Sequence, residues 1–253
     1  MDMKKFFVVL LFVGGAVFVG KFALQTPSEQ QTKKPVNIQI LQPESDSGKK
    51  TSSNQEEELT LNMIQMAAEE GVAEAQFNLG LMYSQGDGVK KDENKAFNWI
   101  MLAAQQGHER AQAVLGSMYA DGQGAKQNDV RAFKWYENSA EQGFAQAQFN
   151  VALMYIDGQG THQDYAQATA YLRKAANQGL DRAQAMLGNI YAEGDIHKQD
   201  YGEAYFWFNI AASSGLKGAK EARDKAAEKL TREVLLAEQK RVREWAPLSP
   251  QKD

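Results

Sequence analysis

The sequence predicts an all-α solenoid, a stack of helical hairpins with 36-residue repeats. Three observations carry this reading. Gly71, Gly107, Gly143, Gly179 and Gly215 stand 36 residues apart without exception, and self-similarity at a period of about 20 to 50 residues marks a chain built from stacked units. The segments between these glycines place apolar residues three and four apart, the spacing of an amphipathic helix. No proline occurs from Glu44 to Ala246, so nothing in that span interrupts helices.

Composition narrows the function classes. An apolar fraction of 43% with four Trp and nine Tyr among 253 residues excludes a wholly disordered chain. The formal charge is −4, and residues 1–24 hold Lys4, Lys5 and Lys21 against Asp2, so the rest is more acidic still. Such a body lacks the footprint of a nucleic-acid binder, and the pairs Lys33/Lys34, Lys49/Lys50 and Lys90/Lys91 are too short to supply one. There is no cysteine, which removes disulfides, thiolate zinc sites, thiol nucleophiles and lipid attachment through cysteine.

Residues 1–24 are expected to be a signal peptide or an N-terminal membrane anchor. After Lys4 and Lys5 come 15 uncharged, mostly apolar residues, Phe6 to Gly20, then Lys21 and Phe22-Ala23-Leu24. As a helix, the 15 residues would span about 22 Å, short of a hydrocarbon core unless Lys21 snorkels and the span runs on to Leu24. Cleavage sites are poor, which favours the anchor. The lysines hold the amino terminus in the cytoplasm and send the rest across the inner membrane, to a periplasm-facing anchored or released form. Residues 25–58, with Pro27, Pro35 and Pro43 amid Ser, Gln, Lys and Glu, are expected to be a flexible linker. Val36, Ile38 and Ile40 alternate with polar residues within it, a pattern that suits a short strand docking on a partner (residues 36–42).

The solenoid is expected over residues 59–246, with a tail at 247–253. First halves of the unit read AEAQFNLGLMY (73–83), ERAQAVLGSMY (109–119), AQAQFNVALMY (145–155) and DRAQAMLGNIY (181–191). Second halves read DENKAFNWIMLAAQQG (92–107), NDVRAFKWYENSAEQG (128–143), DYAQATAYLRKAANQG (164–179) and DYGEAYFWFNIAASSG (200–215). Each half is one helix. Asp92, Asn128, Asp164 and Asp200 are expected N-caps of the second helices, and the ladder glycines are expected stops after them. Gly80, Gly116, Ala152 and Gly188 recur where helices must approach closely, as do Ala-Ala pairs such as Ala103/Ala104. Trp99, Trp135, Tyr171 and Trp207 share one position and Tyr83, Tyr119, Tyr155 and Tyr191 another, so large and small groups can interdigitate.

The pattern A-x-x-x-L-G-x-M-Y-x-x-G-x-G followed by D-x-x-x-A-x-x-W-x-x-x-A-A-x-x-G resembles the Sel-1-like repeat family, a branch of the tetratricopeptide-like α-solenoids. The resemblance covers four units at residues 72–215, with a leading half unit from Leu59 to Gly71. It implies a right-handed α/α superhelix, a closing helix from Leu230-Thr231 to Trp245, and adaptor roles in envelope complexes, signalling or host contact. Departures are Ala152, Tyr171, Ile196 in place of a loop glycine, and residues 216–229, which lack the first-helix signature and read as a cap.

No catalytic set emerges. The loops containing Gly86/Gly88, Gly122/Gly124, Gly158/Gly160 and Gly194 resemble phosphate or calcium loops only superficially, because the preceding strand and the alternating ligands are missing. His108, His162 and His197 form no i, i+4 pair, and His108 reads as packing at a helix start. No catalytic residue, cofactor, metal or small-molecule substrate is expected. Binding is better supported. First helices of a solenoid usually line its concave face, and there positions 77, 78 and 81 vary between repeats. They give Phe77, Asn78 and Leu81, then Ala113, Val114 and Ser117, then Phe149, Asn150 and Leu153, then Ala185, Met186 and Asn189. The expected protein-binding residues are Phe77, Asn78, Leu81, Phe149, Asn150, Leu153, Met186 and Asn189, apolar groups beside amides that suit a peptide or partner helix. The function expected is a noncatalytic scaffold or regulator of the bacterial envelope. An exported hydrolase of cell-wall or antibiotic substrates and a secreted factor engaging a host receptor are the alternatives.

Overall fold

A computed structural model describes residues 6–13, 16–23, 49–194 and 196–247. The chain divides into two units, Met1–Ser47 and Gly48–Asp253. In the first, β1 (Phe6–Val13) and β2 (Ala16–Ala23) pair antiparallel, Phe6 opposite Ala23 and Val13 opposite Ala16. These strands stand where the apolar run suggested a helical span. Val and Phe favour the pleated backbone, and Gly14-Gly15 between two apolar runs is a hairpin signal that length alone does not register. No helix among the described residues is long and apolar enough to cross a membrane. Val36, Ile38 and Ile40 lie outside the described residues, as does the tail beyond Pro247.

The second unit is helical throughout its described length. Helix α1 (Lys49–Glu69) opens inside the stretch expected as linker; no proline follows Pro43 there, and Glu56 to Glu58 are good helix formers. Four hairpins follow: α2 (Ala73–Gln85) with α3 (Glu93–Gln105), α4 (Glu109–Asp121) with α5 (Asp129–Glu141), α6 (Ala145–Asp157) with α7 (Tyr165–Asn177), and α8 (Asp181–Glu193) with α9 (Tyr201–Ser213). Each second helix packs on its own first helix and on the next hairpin's first helix, and α10 (Ala219–Ala227) and α11 (Arg232–Glu244) both pack on α9. The result is the solenoid of repeated hairpins that the 36-residue period predicts.

Side chains set the helix limits as the sequence implies. Asp92 accepts from the Lys95 N–H at 3.0 Å, Asn128 from Arg131, Asp164 from Gln167 and Asp200 from Glu203. His108 is a further N-cap: the Ala111 N–H donates to its Nδ1 at 3.1 Å. The loop glycines serve close approach as well as turning. A methyl group at Gly160, where φ is +68°, would lie 2.1 Å from the Asp129 carbonyl oxygen of the preceding repeat, so this loop lies directly against the start of α5.

Packing couples the hairpins. A methyl at Gly116 would lie 2.8 Å from the Tyr136 ring, and one at Gly188 2.6 Å from Phe208; the glycines admit these rings into the hairpin interior. By the same offset Ala152 faces Leu172, and both are fully buried in one cluster. Between repeats runs a polar ladder. Gln76, Gln112, Gln148 and Gln184 are buried, and each donates to a carbonyl of the preceding second helix: Ala68, Ala104, Ala140 and Ala176, at 3.1 to 3.2 Å. The first three also accept from Gln106, Gln142 and Gln178, at 2.7, 2.7 and 2.8 Å. At the last joint Ser214 replaces that glutamine, and the Gln184 Oε1 is left buried with no donor.

Candidate partner-binding face

Helical spacing places four side chains of each first helix in one column. These are Glu74-Asn78-Leu81-Gln85, Arg110-Val114-Ser117-Asp121, Gln146-Asn150-Leu153-Asp157 and Arg182-Met186-Asn189-Glu193. Two hydrogen bonds confirm the alignment, Gln146 to Asn150 at 3.3 Å and Ser117 to Asp121 at 3.2 Å. The columns alternate with a period of two repeats. Asn78 with Leu81 and Asn150 with Leu153 put an amide before an apolar group, whereas Val114 with Ser117 and Met186 with Asn189 put the apolar group first. Asp121, Asp157 and Glu193 are exposed along one edge of the face.

Six of the eight expected binding residues reach this face in whole or part. Asn189 is exposed, Asn78 and Asn150 are half-buried, Leu81 packs at the edge of the first core cluster, and Leu153 and Met186 pack at the edge of the second. Phe77 and Phe149 are corrections. They are 2% and 8% exposed, so they belong to the packing between repeats and present no surface to a partner. The position one residue before the column points inward, and Phe77 there stacks on His108 at 4.7 Å between ring centroids.

Tyr136 is a buried polar neighbour of the face, although its sequence position does not suggest it. It occupies the buried site filled by Ile100, Leu172 and Phe208 in the other repeats, yet its phenol lies near the Ser117 side chain of α4 and the Asn150 side chain of α6. Burial raises its pKa, the neighbouring Ser117 and Asn150 side chains oppose that shift, and the nearby Asp121 adds to it. The tyrosine thereby places a polar group near the middle two columns. A tyrosine at a position otherwise aliphatic or Phe was the signal available in the sequence.

The histidines are engaged separately. The His108 Nδ1 accepts from the backbone, so its Nε2 carries the proton and donates to Glu74 at 2.8 Å. His197 donates to the Thr169 hydroxyl at 3.0 Å, since that hydroxyl gives its own proton to the Tyr165 carbonyl. His162 is exposed, 3.8 Å from Asp164. Among the described residues no group of three or more His, Asp or Glu side chains is placed to hold a metal.

A regular α/α solenoid of 36-residue hairpins defines a helical repeat protein. Sequence comparison gives the family: the Sel1 repeat model matches residues 73–108, 109–144, 145–180 and 181–216, and the chain belongs to that family. A Sel1 repeat protein from Oxalobacter formigenes is 33% identical, with 74% of this chain and 79% of that one covered and a TM-score of 0.63. A protective antigen of uropathogenic Escherichia coli with the same repeat fold is 30% identical over 76% of this chain, with a TM-score of 0.47, and the match spans 52% of that protein's length. No curated protein matches the chain. Sel1 repeats generally mediate protein–protein interaction.

Proposed function

We propose that the protein is a noncatalytic adaptor or regulator of the bacterial envelope that holds a partner protein or peptide on the face of α2, α4, α6 and α8, the concave side of the superhelix. One observation carries this reading: part-exposed side chains that differ between repeats, apolar groups beside amides, collect in columns on those helices. Apolar Leu81, Val114, Leu153 and Met186 alternate with Asn78, Ser117, Asn150 and Asn189, a mixture that can desolvate a partner's side chains while bonding its backbone. The envelope location rests on the sequence of residues 4–24, two lysines before an apolar run, which suits export or retention at the inner membrane with the solenoid in the periplasm. Fractionation with protease protection of spheroplasts tests it, since solenoid shielded in the cytoplasm would contradict the location. For the face, Asn78→Arg with Asn150→Arg is expected to leave the Tm within a few degrees and to abolish co-purification of the partner. Unchanged co-purification would overturn the assignment.

A further inference from the structure

Away from the first-helix face, α7, α9 and α11 border an open cavity of about 360 Å³. Arg173 and Asn177 line one side, Phe206 and Trp207 the floor, and Arg241, Glu244 and Trp245 the side made by α11. The α11 wall is firmly held. The Arg241 guanidinium lies 3.8 Å over the Phe206 ring and reaches Glu203 at 2.7 Å and Glu238 at 3.3 Å. The Trp207 indole N–H donates to the same Glu203 at 3.2 Å. Two carboxylates therefore match the charge of Arg241, which serves the wall rather than a ligand.

Arg173 differs. Its guanidinium donates to the Tyr191 hydroxyl and sits over that ring at 5.8 Å, with no carboxylate in ion-pair range among the described residues. It keeps further N–H donors in a planar fork that fits a carboxylate. Asn177 lies one turn along α7, on the same side, and adds an amide donor. The half-buried Trp245 supplies a flat apolar face, while Trp207 is 3% exposed. Glu244 is exposed, with Lys240 3.8 Å away along the helix as its ion partner, and it can accept an N–H. The cavity thus offers donors for one carboxylate, an aromatic recess and one acceptor. A single guanidinium without a carboxylate partner, that of Arg173, matches one carboxylate charge better than a phosphate dianion, and it repels a quaternary ammonium.

A carboxylate, an apolar side chain and an amide N–H on one carbon describe the last residue of a peptide chain. We propose that this cavity binds the C-terminal residue of a peptide ending in an apolar side chain, with Arg173 and Asn177 taking the carboxylate and Trp245 the side chain. The site shares no residue with the first-helix face, so either assignment can fail alone.

The test titrates the full-length protein with N-acetyl-Leu-Phe, with its C-terminal amide and with phenylacetate, following the indole N–H signals of Trp207 and Trp245 by NMR. The acid peptide is expected to shift both signals in the millimolar range and to bind at least about tenfold more tightly than the amide, the scale of a charge-assisted pair. Arg173→Gln should erase that difference, while Lys126→Gln, at an exposed position in neither site, should leave it intact. Equal binding of acid and amide, or no shift with millimolar peptide, overturns the proposal. Phenylacetate binding as tightly as the peptide would overturn the peptide terminus and assign the cavity to a free carboxylate.

Discussion

Gln184 holds a buried oxygen without a donor because Ser214 stands where Gln106, Gln142 and Gln178 stand in earlier repeats. Ser214→Gln is expected to complete the ladder, adding about 0.5–1.5 kcal/mol and raising the Tm by about 2–4 °C per kcal/mol; calorimetry that shows no gain would contradict the clamp reading. Gln112→Leu tests the same device in reverse. It strips a partner from the Gln142 amide and the Ala104 carbonyl, an expected cost of about 1–3 kcal/mol in urea unfolding. Glu238 supplies a pH signature. Burial lifts its carboxyl pKa above the ordinary 4.5, with Arg241 opposing and Glu203 adding to the rise. A raised carboxyl pKa stabilises the fold below the unfolded value, and that contribution is lost as pH rises through the folded value. Ionised Glu238 therefore costs stability at neutral pH, so Glu238→Gln should raise the Tm at about pH 7 and leave it unchanged near pH 3.

The helices show how local chemistry and tertiary packing divide the work. Gly116→Ala should cost about 1–3 kcal/mol through overpacking, because the added methyl meets the Tyr136 ring at 2.8 Å. Leu115→Ala, at a fully buried position, should cost about 2–5 kcal/mol as a cavity; both values follow from chemical denaturation. Hairpin lengths, N-caps and glycine stops were legible because they rest on local sequence, and the period exposed them four times. The glutamine ladder was not singled out: a polar residue at helical spacing looks solvent-facing until the next repeat's backbone covers it. Phe77 and Phe149 misled for the converse reason, since variation between Phe and Ala can be absorbed by interior packing as readily as by a partner. The apolar segment near the amino terminus carried both a helix-length signal and a Gly-Gly hairpin signal, and length alone favours the first.

At the scale of the molecule, a 36-residue period defined the solenoid, but the variable columns needed three-dimensional burial to separate surface from core. That separation leaves Asn78, Asn150 and Asn189 as the amides among the expected binding residues that reach the surface, with the buried Tyr136 close to Asn150 and Ser117. It also reveals the α7–α9–α11 cavity, which no local motif announces because its walls come from helices far apart in sequence. The central claim is that the first-helix face is where a partner sits. It is tested most directly by placing a photoreactive residue in living cells at Asn78, Asn150 or Asn189, and at the exposed second-helix positions Asn98 and Lys134. The same crosslinked partner is expected from the three first-helix positions and not from Asn98 or Lys134. Crosslinking confined to Asn98 and Lys134, or equal at all five, would contradict the account.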